Sequence, residues 1–213
     1  METTLIFMLL TIPIVALILR AIYLVYKITT TECQIEKKGA SLRTLICIGS
    51  GGHTTEMMRL IKNFNLKKYQ PRLYITADND LSSVVKVHFV ENYNSNYKLS
   101  KIPRSRNVKQ TYFSAIFSTV KSAICTIPIV YKFKPDIIFC NGPGTCVPVC
   151  VVAFILKCIF LCQCKIVFVE SICRVRTLSL TGKILQYISD VFVVQWPQLK
   201  DECFRAKYFG RLT

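Results

Sequence analysis

Residues 42–63, LRTLICIGSGGHTTEMMRLIKN, decide the fold, because an apolar run passes through a glycine-rich turn directly into a helix start. The run over 42–48 predicts a buried strand, and the polar residues from Thr54 to Glu56 begin a helix over 54–63. Glycines let the backbone approach a ligand closely, and free N–H groups at a helix N-terminus favour an anion, most often a phosphate. The stretch predicts a parallel-sheet α/β domain with an anion site at its first loop.

Short apolar runs alternate with helical stretches along the rest of the chain, which is typical of βαβ units around a buried parallel sheet. Further strands are predicted at 72–77, 98–102, 136–140, 165–169 and 191–194. Further helices are predicted at 81–92, 112–131, 145–162 and 178–188. A length of 213 residues leaves room for one core, so one Rossmann-like, doubly wound domain accounts for the chain after its N-terminal segment.

A second glycine-rich loop, NGPGT at 141–145, follows a predicted strand, with Thr145 placed to cap the next helix. Loops at the carboxyl ends of neighbouring parallel strands meet in the crevice where such sheets bind ligands. Gly49 and Gly51 fit the first two positions of the dinucleotide motif G-x-G-x-x-G, but the third position is Thr54. We therefore expect two adjacent anion-binding loops, with simple connecting turns as the alternative.

Two titratable residues are predicted to stand at this crevice. His53 closes the first loop beside a helix N-terminus, where a neutral imidazole would serve as a general base; a ring that only hydrogen-bonds its own loop is the alternative. Glu170 and Ser171 end the strand over 165–169, with Arg174 close behind. A carboxylate in that place predicts contact with sugar hydroxyls or with the base, and a helix-capping role is the alternative.

The composition combines strong positive charge with high hydropathy: the formal net charge is +16 and 52% of the residues are hydrophobic. So much apolar sequence excludes an intrinsically disordered chain. The positive charge predicts that the protein acts at an anionic surface, which would be either a membrane or a nucleic acid. No helix-turn-helix, RNP or zinc-finger pattern is present in the sequence, so no nucleic-acid partner is expected.

The predicted helix over 112–131 lies in a basic stretch, since residues 97–135 contain eight Lys and Arg and no acidic residue. Apolar residues recur along this helix at helical spacing: Phe113, Ile116, Phe117, Val120, Ile124 and Ile127. Such a stripe either packs in the core or lies on an anionic membrane as an interfacial helix.

The N-terminal segment is predicted to be a transmembrane anchor. Residues 4–26 carry Arg20 as their only charge, and about 20 apolar residues suffice to cross the hydrocarbon core. A cleaved signal peptide is the alternative, but Glu2 leaves no basic n-region and the apolar run is long. The predicted organisation is an anchor over 1–27, a connector over 28–40 and the Rossmann-like domain over 41–213.

Charge and cysteine usage both predict a single-pass protein with its domain in the cytosol. Basic residues flank the C-terminal side of the anchor: Lys27, Lys37, Lys38 and Arg43. The eleven cysteines lack the spacing of a disulfide framework and fall in apolar stretches, so they are predicted to be reduced and buried. Cys158, Cys162 and Cys164 have no CxxC pair and no nearby histidine; they are assigned to core packing, and no metal site is predicted.

Four ordered motifs are CIGSGGHTTEM at 47–57, NGPGT at 141–145, VESICRV at 169–175 and VQWP at 194–197. Together they resemble one family, the membrane-anchoring subunit of the dolichol-linked UDP-N-acetylglucosamine transferase. The resemblance covers almost the whole chain. The same loops are distantly similar to the N-terminal half of the bacterial undecaprenyl-linked N-acetylglucosamine transferase, which implies the N-terminal half of a GT-B glycosyltransferase.

The resemblance implies a heteromeric enzyme of the N-glycosylation pathway, inactive as this chain alone. A soluble catalytic subunit would bind the UDP-GlcNAc donor, so no cofactor is expected on this chain, and residues after 197 would form part of the docking surface for that subunit. This chain would hold the lipid acceptor, GlcNAc-diphospho-dolichol, at the cytosolic face of the endoplasmic reticulum membrane and take part in an inverting transfer of the second GlcNAc.

The resemblance also implies roles for individual residues. His53 would be the catalytic base, and Glu170 would bind the acceptor sugar or orient that base. The implied ligands of the acceptor diphosphate and sugar are Gly51, Gly52, Thr54, Asn141, Gly142, Gly144, Thr145, Ser171 and Arg174.

Two other functions stay open at this point. A pure membrane scaffold would recruit a self-sufficient enzyme and use the glycine loops only as turns. A membrane-anchored NAD-dependent reductase would use Asp78, after the second strand, as a ribose ligand, although Thr54 stands where the third glycine of the fingerprint belongs.

Overall fold

The computed structural model of the chain describes residues 2–33, 41–92, 96–106 and 110–213, without the side chains of residues 2–10 and 112. The strands are β1 (Thr44–Cys47), β2 (Arg72–Ala77), β3 (Tyr97–Ile102), β4 (Ile137–Asn141), β5 (Lys165–Val169), β6 (Val191–Val194) and β7 (Ala206–Tyr208). The helices are α1 (Glu2–Thr30), α2 (Gly52–Lys62), α3 (Leu81–Glu91), α4 (Tyr112–Phe133), α5 (Cys146–Cys158) and α6 (Leu180–Leu185), and a 3-10 turn spans Pro197–Lys200.

The strands form one sheet in the order β3-β2-β1-β4-β5-β6-β7, and every neighbouring pair is parallel. The order reverses between β1 and β4, as in a doubly wound sheet. The predicted Rossmann-like fold is therefore confirmed, with all six predicted strands and the five predicted helices of the domain. Strand β7 was not predicted, because this three-residue edge strand has Lys207 at its centre and shows no apolar run.

Helices cover both faces of the sheet, and the side chains of β1 alternate between them. Ile46 and Ile48 point to the face covered by α2 and α3, whereas Leu45 and Cys47 point to the face covered by α4 and α5. Alternate residues of a strand point to opposite faces, so a strand covered on both sides reads as a continuous apolar run. That burial explains why the run that opens the domain was recognisable in the sequence.

Helix α1 confirms the predicted apolar N-terminal helix and extends beyond the predicted anchor. It runs through Thr30, so the first residues of the predicted connector over 28–40 are helical, while 34–40, including Lys37 and Lys38, lie outside the described residues. Within the described chain, two helical segments are long and apolar enough to cross a membrane, Thr11–Thr30 and Phe113–Phe133.

The C-terminal end of α1 packs on the domain. Leu24 and Ile28 are buried, with α5 as the neighbouring element. The Arg20 guanidinium lies 4.4 Å from the centre of the Phe160 ring, just beyond the end of α5. Lys207 Nζ also pairs with Glu32 Oε1 at 3.3 Å. Helix α1 is therefore held against the domain on the side where α5 ends.

The cysteines are free thiols, as predicted, and all eleven lie within the described ranges. Eight of them are buried, including Cys158, Cys162 and Cys164, whose assignment to core packing is confirmed. The predicted burial is wrong for the other three, since Cys33 is half-buried and Cys125 and Cys173 are exposed. Buried cysteine behaves as a small hydrophobic residue.

Candidate functional site

The two glycine-rich loops lie side by side, as predicted. β1 pairs directly with β4, with Cys47 opposite Cys140, so the loops that follow the two strands leave the sheet together. At Gly142 the backbone has φ = 60°, and a Cβ atom there would lie 2.8 Å from Cε1 of His53. Glycine is required at this position because the imidazole ring packs directly on the second loop.

A cavity of about 710 Å³ opens beside these loops, within the roughly 300–1,000 Å³ typical of ligand sites. Its floor is formed by Ser50 and His53 of the first loop region and by the second loop from Gly142 to Thr145. Of the sequence-predicted site residues, the cavity is lined by His53, Gly142, Gly144, Thr145 and Arg174.

Three arginines give the cavity a positive charge. Arg174 was predicted as a ligand contact, but Arg104 and Arg106, from the loop between β3 and α4, were noted in the sequence only as part of a basic stretch. No carboxylate is found among the described residues that line the cavity. Their convergence could not be read from the sequence, because it depends on the crossover that brings the β3–α4 loop over the second glycine loop.

Part of the cavity lining is apolar. It includes Ala115, Ile116 and Val120 of α4 and Leu180 and Ile184 of α6. A site lined by both cations and aliphatic side chains has the polarity of an amphiphile with an anionic head group.

His53 is half-buried, and two side-chain oxygen atoms lie near its Nδ1. This nitrogen lies 3.3 Å from Asn141 Oδ1 and 4.0 Å from Glu56 Oε2. Two oxygen atoms on the same side favour the tautomer with the proton on Nδ1, which leaves Nε2 as the basic nitrogen. The ring can therefore accept a proton, in keeping with the base role predicted for it.

Asn141 and Ser171 do not line the cavity but support the residues that do. Asn141 is buried, and its amide carbonyl contacts His53. The Ser171 hydroxyl donates a hydrogen bond to Glu56 Oε1 at 2.8 Å. Sequence reasoning treated Glu56 only as an early acidic residue of the helix, yet the structure buries it directly beneath His53.

Glu170 lies behind the cavity wall and has no exposed surface. Its carboxylate accepts hydrogen bonds from the Ser171 amide at 3.0 Å and from the Ser179 amide and hydroxyl, each at 2.9 Å. Burial raises the pKa of this carboxyl group, and hydrogen bonds from Ser179 and Ser171 oppose the rise. The direct contact with a sugar or with His53 has no support in this geometry; the residue instead fixes the start of α6, which corresponds to the capping alternative.

The first loop also differs from the prediction in detail. Thr54 is fully buried; its hydroxyl bonds the Gly49 carbonyl and lies 2.6 Å from Ser83 Oγ. It therefore braces the loop from behind and cannot contact a ligand directly. Gly51 and Gly52 are exposed at the start of α2 and lie outside the cavity lining.

Thr145 occupies the N-cap position of α5, but its side chain makes no capping hydrogen bond. The prediction that it caps the helix through its hydroxyl is therefore wrong. The first amides are satisfied by the backbone instead, since Cys146 N–H donates to Pro143 O and Val147 N–H donates to Gly144 O. Thr145 lines the cavity and presents its side chain there.

The apolar stripe of α4 is on the surface, so the core-packing alternative is wrong for these residues. All six side chains of the stripe are exposed, and Phe113 and Phe117 stack edge to face with ring centres 5.7 Å apart. The buried side of α4 carries small and polar residues such as Ala115, Ser122 and Thr126. A contiguous exposed apolar face of this kind marks an interaction surface.

Solved structures with this fold are about twice as long as the chain. A MurG from Acinetobacter baumannii aligns with a TM-score of 0.54 at 14% identity, over 74% of this chain and 42% of that one. A UDP-N-acetylglucosamine 2-epimerase aligns with a TM-score of 0.55 at 16% identity, over 76% of this chain and 42% of that one. The chain is therefore a Rossmann-like domain with the fold of part of these GT-B-like structures.

Residues 44–212 match the family described as "Oligosaccharide biosynthesis protein Alg14 like", and the chain belongs to this family. It is 46% identical over 183 residues to the mouse "UDP-N-acetylglucosamine transferase subunit ALG14", covering 81% of this chain and 84% of that one. It is 45% identical over 182 residues to the human protein of the same name, covering 81% of this chain and 84% of that one. For the Yarrowia lipolytica protein of that name, the identity is 37% over 204 residues, covering 94% of both chains.

Proposed function

We propose that this chain is the membrane-anchored, acceptor-binding subunit of a heteromeric UDP-GlcNAc transferase. In this proposal a soluble subunit binds UDP-GlcNAc, and the complex adds the second GlcNAc to GlcNAc-diphospho-dolichol at the cytosolic face of the endoplasmic reticulum membrane. The observation that carries the proposal is the cavity, whose cationic and apolar parts match the diphosphate and the lipid of such an acceptor. The names of the Alg14 relatives support the same activity.

The acceptor diphosphate is assigned to the three arginines of the cavity. Arg104 and Arg106 approach from the β3–α4 loop and Arg174 from the loop after β5, so they can surround an anion from two sides. Arginine binds phosphate oxygens through a planar fork of donors, which suits a diphosphate better than a point charge does. Gly144, where a Cβ atom would meet nothing within 4 Å, leaves the second loop open for close approach of the phosphates.

His53 is assigned as the base of a single, inverting displacement. The acceptor-sugar hydroxyl oxygen forms a bond to the anomeric carbon of the donor sugar, the bond from that carbon to UDP breaks, and His53 takes the hydroxyl proton. UDP is the leaving group, and it departs from the donor site on the partner subunit. The position of His53, in the cavity floor beside the arginines, is consistent with an acceptor sugar next to its diphosphate.

The exposed face of α4 is assigned to the membrane surface. Ile116 and Val120 belong both to this face and to the cavity wall, so a lipid chain can pass from the bilayer into the cavity along one continuous apolar surface. The basic residues around α4 complement anionic lipids. The dolichol chain would then remain in the membrane while its head group enters the cavity.

A reconstituted transfer assay tests the proposal. The full chain is placed in vesicles containing a polyprenyl-diphospho-GlcNAc acceptor, with or without a soluble UDP-GlcNAc-binding subunit. We expect transfer only when both subunits are present, because a GT-B cleft needs two Rossmann-like domains and this chain supplies one. Transfer by the soluble subunit alone at the full rate would contradict the proposal.

Histidine substitutions separate the proposed function from a pure scaffold. His53→Ala should keep the partner at the membrane while lowering kcat by about 10²- to 10⁴-fold, the usual contribution of a general base. The matched control is His88→Ala, since His88 lies on α3 and bonds the Tyr97 hydroxyl at 2.5 Å, away from the cavity. If His53→Ala still recruits the partner and the complex transfers GlcNAc at the normal rate, the pure-scaffold function is favoured.

A further inference from the structure

Glu56 is a buried carboxylate with one oxygen atom left without a hydrogen bond. Only 7% of the residue is exposed. Oε1 accepts a hydrogen bond from the Ser171 hydroxyl at 2.8 Å, whereas Oε2 is buried and unpartnered. Leaving a buried charged acceptor unpaired is costly, so such an atom points to a partner that arrives in another state of the site.

The nearest cation that could form at this oxygen is the protonated ring of His53. Glu56 follows His53 by three residues on α2, so both side chains lie on one side of the helix, and Oε2 is 4.0 Å from Nδ1. Asn141 Oδ1 lies 3.3 Å from the same nitrogen, and Asn141 Nδ2 is buried and unpartnered as well. Glu56 and Asn141 therefore each place an oxygen atom near Nδ1 of His53.

The position of Glu56 is fixed from the other side of the crevice. Ser171, the second residue after β5, donates its hydroxyl proton to Glu56 and accepts a hydrogen bond from the Cys173 amide at 3.3 Å. Asn141 ends β4. The contacts thus join residues that follow three neighbouring strands, β1, β4 and β5, around one imidazole.

Charged and titratable groups approach His53 from several elements. Glu56 does so from α2, and the buried thiol of Cys146, on α5, lies close enough to interact with it electrostatically. Arg174 and the two arginines of the β3–α4 loop line the same cavity and carry positive charge. Among the described residues, Glu56 supplies the one carboxylate that lies within 4.0 Å of the ring.

We propose that Glu56 is a positioning residue that holds His53 in the Nδ1-protonated tautomer and stabilises the imidazolium when Nε2 takes the acceptor proton. The inference rests on the proposed function, in which His53 is the base. Ser171 holds Glu56 in place, and Asn141 accepts the Nδ1 hydrogen bond. Glu56 itself touches neither substrate nor reacting atoms.

The first test is the pH dependence of transfer by the full chain with its soluble partner. Glu56→Gln should lower kcat by about 10- to 100-fold, part of the roughly 10²- to 10⁴-fold that a positioned base supplies, with little change in the acceptor KM. The acidic limb of the rate profile should move to lower pH, because the imidazolium loses its neighbouring negative charge. Glu56→Asp should restore part of the rate, and Ser171→Ala should cause a smaller loss.

The second test reads the tautomer directly and does not depend on catalysis. The chain contains only two histidines, so a His88→Asn background leaves His53 as the single ¹⁵N-histidine signal. We expect a signal of the Nδ1-protonated form in this background and a mixture of tautomers after Glu56→Gln. If Glu56→Gln changes neither the tautomer of His53 nor the acidic limb of the pH–rate profile, the proposal is wrong, even if the variant unfolds more easily.

The two tests separate this inference from the proposed function. If His53→Ala transfers normally, His53 is not the base and the proposed chemistry fails, whereas the tautomer measurement still reports on Glu56. If His53→Ala is inactive but Glu56→Gln alters neither readout, only the role of Glu56 fails. If Glu56→Gln does not fold, Ser171→Ala takes its place, and a normal tautomer in that variant would count against the proposal.

Discussion

A single buried carboxylate, Glu170, determines where one wall of the cavity stands. Its hydrogen bonds to Ser179 position the first turn of α6, and the next residues, Leu180 and Thr181, line the cavity. Gly182 is required behind them, because a side chain there would collide with the Glu170 carboxylate. At the scale of residues, the shape of the site thus depends on groups that never reach its surface.

Glu170→Gln should destabilise the fold by about 1–3 kcal/mol, because the amide NH₂ would face backbone N–H donors and leave one of them unsatisfied. The Glu170 pKa is raised in the folded state, so its contribution to stability is greatest below the unfolded pKa and is lost as the pH rises through the folded value. The stability gap between parent and variant should therefore widen on acidification. Thermal unfolding at pH 5 and pH 7.5 measures it, with the exposed Glu202→Gln as control; a gap that narrows at pH 5 would contradict the expectation.

Arg174→Ala should weaken acceptor binding by about 10- to 100-fold in KM, corresponding to the loss of one charge-assisted contact to a phosphate. Arg176→Ala is the matched control, since Arg176 lies two residues further along the same loop, is exposed and does not line the cavity. Acceptor titrations at fixed UDP-GlcNAc separate the two variants. Equal effects would show that only the overall charge of the loop matters.

Secondary-structure elements show what a sequence can and cannot reveal about this fold. Strands such as β1 and β5 are covered on both faces, so each appears in the sequence as a continuous apolar run. The loops after β1 and β4 were predictable because their glycines mark turns directly in the sequence. The stripe on α4 has the same periodicity whether it faces a core or a membrane, so only the fold could tell these apart. The burial of Glu170, just after β5, and of Thr54, in the first turn of α2, was likewise not predicted, because the sequence does not specify which side chains near a loop turn inward.

The proposed orientation of α4 can be measured by tryptophan quenching. Phe117→Trp should be quenched by vesicles of brominated lipid, because this exposed residue lies on the face assigned to the membrane. Phe89→Trp is the control: Phe89 is as exposed, at 78% against 67%, but lies on α3, on the opposite face of the sheet. Fluorescence is compared with the parent chain, whose only tryptophan is Trp196. Equal quenching of both variants would exclude the assigned orientation.

The whole molecule has two candidate contacts with the bilayer, α1 and the face of α4, and they should differ in their response to salt. The first thirty residues contribute a net charge of only one, from Glu2, Arg20 and Lys27, so most of the +16 charge stays with the domain. A chain that begins at residue 31 should still bind anionic vesicles at low salt and dissociate at about 0.5 M salt, where the Debye length falls to a few ångströms. The full chain should stay bound.

Vesicle flotation of both chains measures this difference, and neutral vesicles provide the control for charge. A truncated chain that floats equally at low and high salt would show that binding through α4 is not electrostatic. A truncated chain that never floats would assign all membrane contact to α1.

Leu24 and Ile28 are buried at the C-terminal end of α1, beside α5, so this end of the helix is packed against the domain. On the proposed function, both the domain and its lipid acceptor are confined to the membrane. They therefore meet by diffusion in two dimensions. Turnover should then follow the mole fraction of acceptor within the bilayer and not its bulk molarity. Adding inert phospholipid at constant total acceptor would slow the reaction by surface dilution alone.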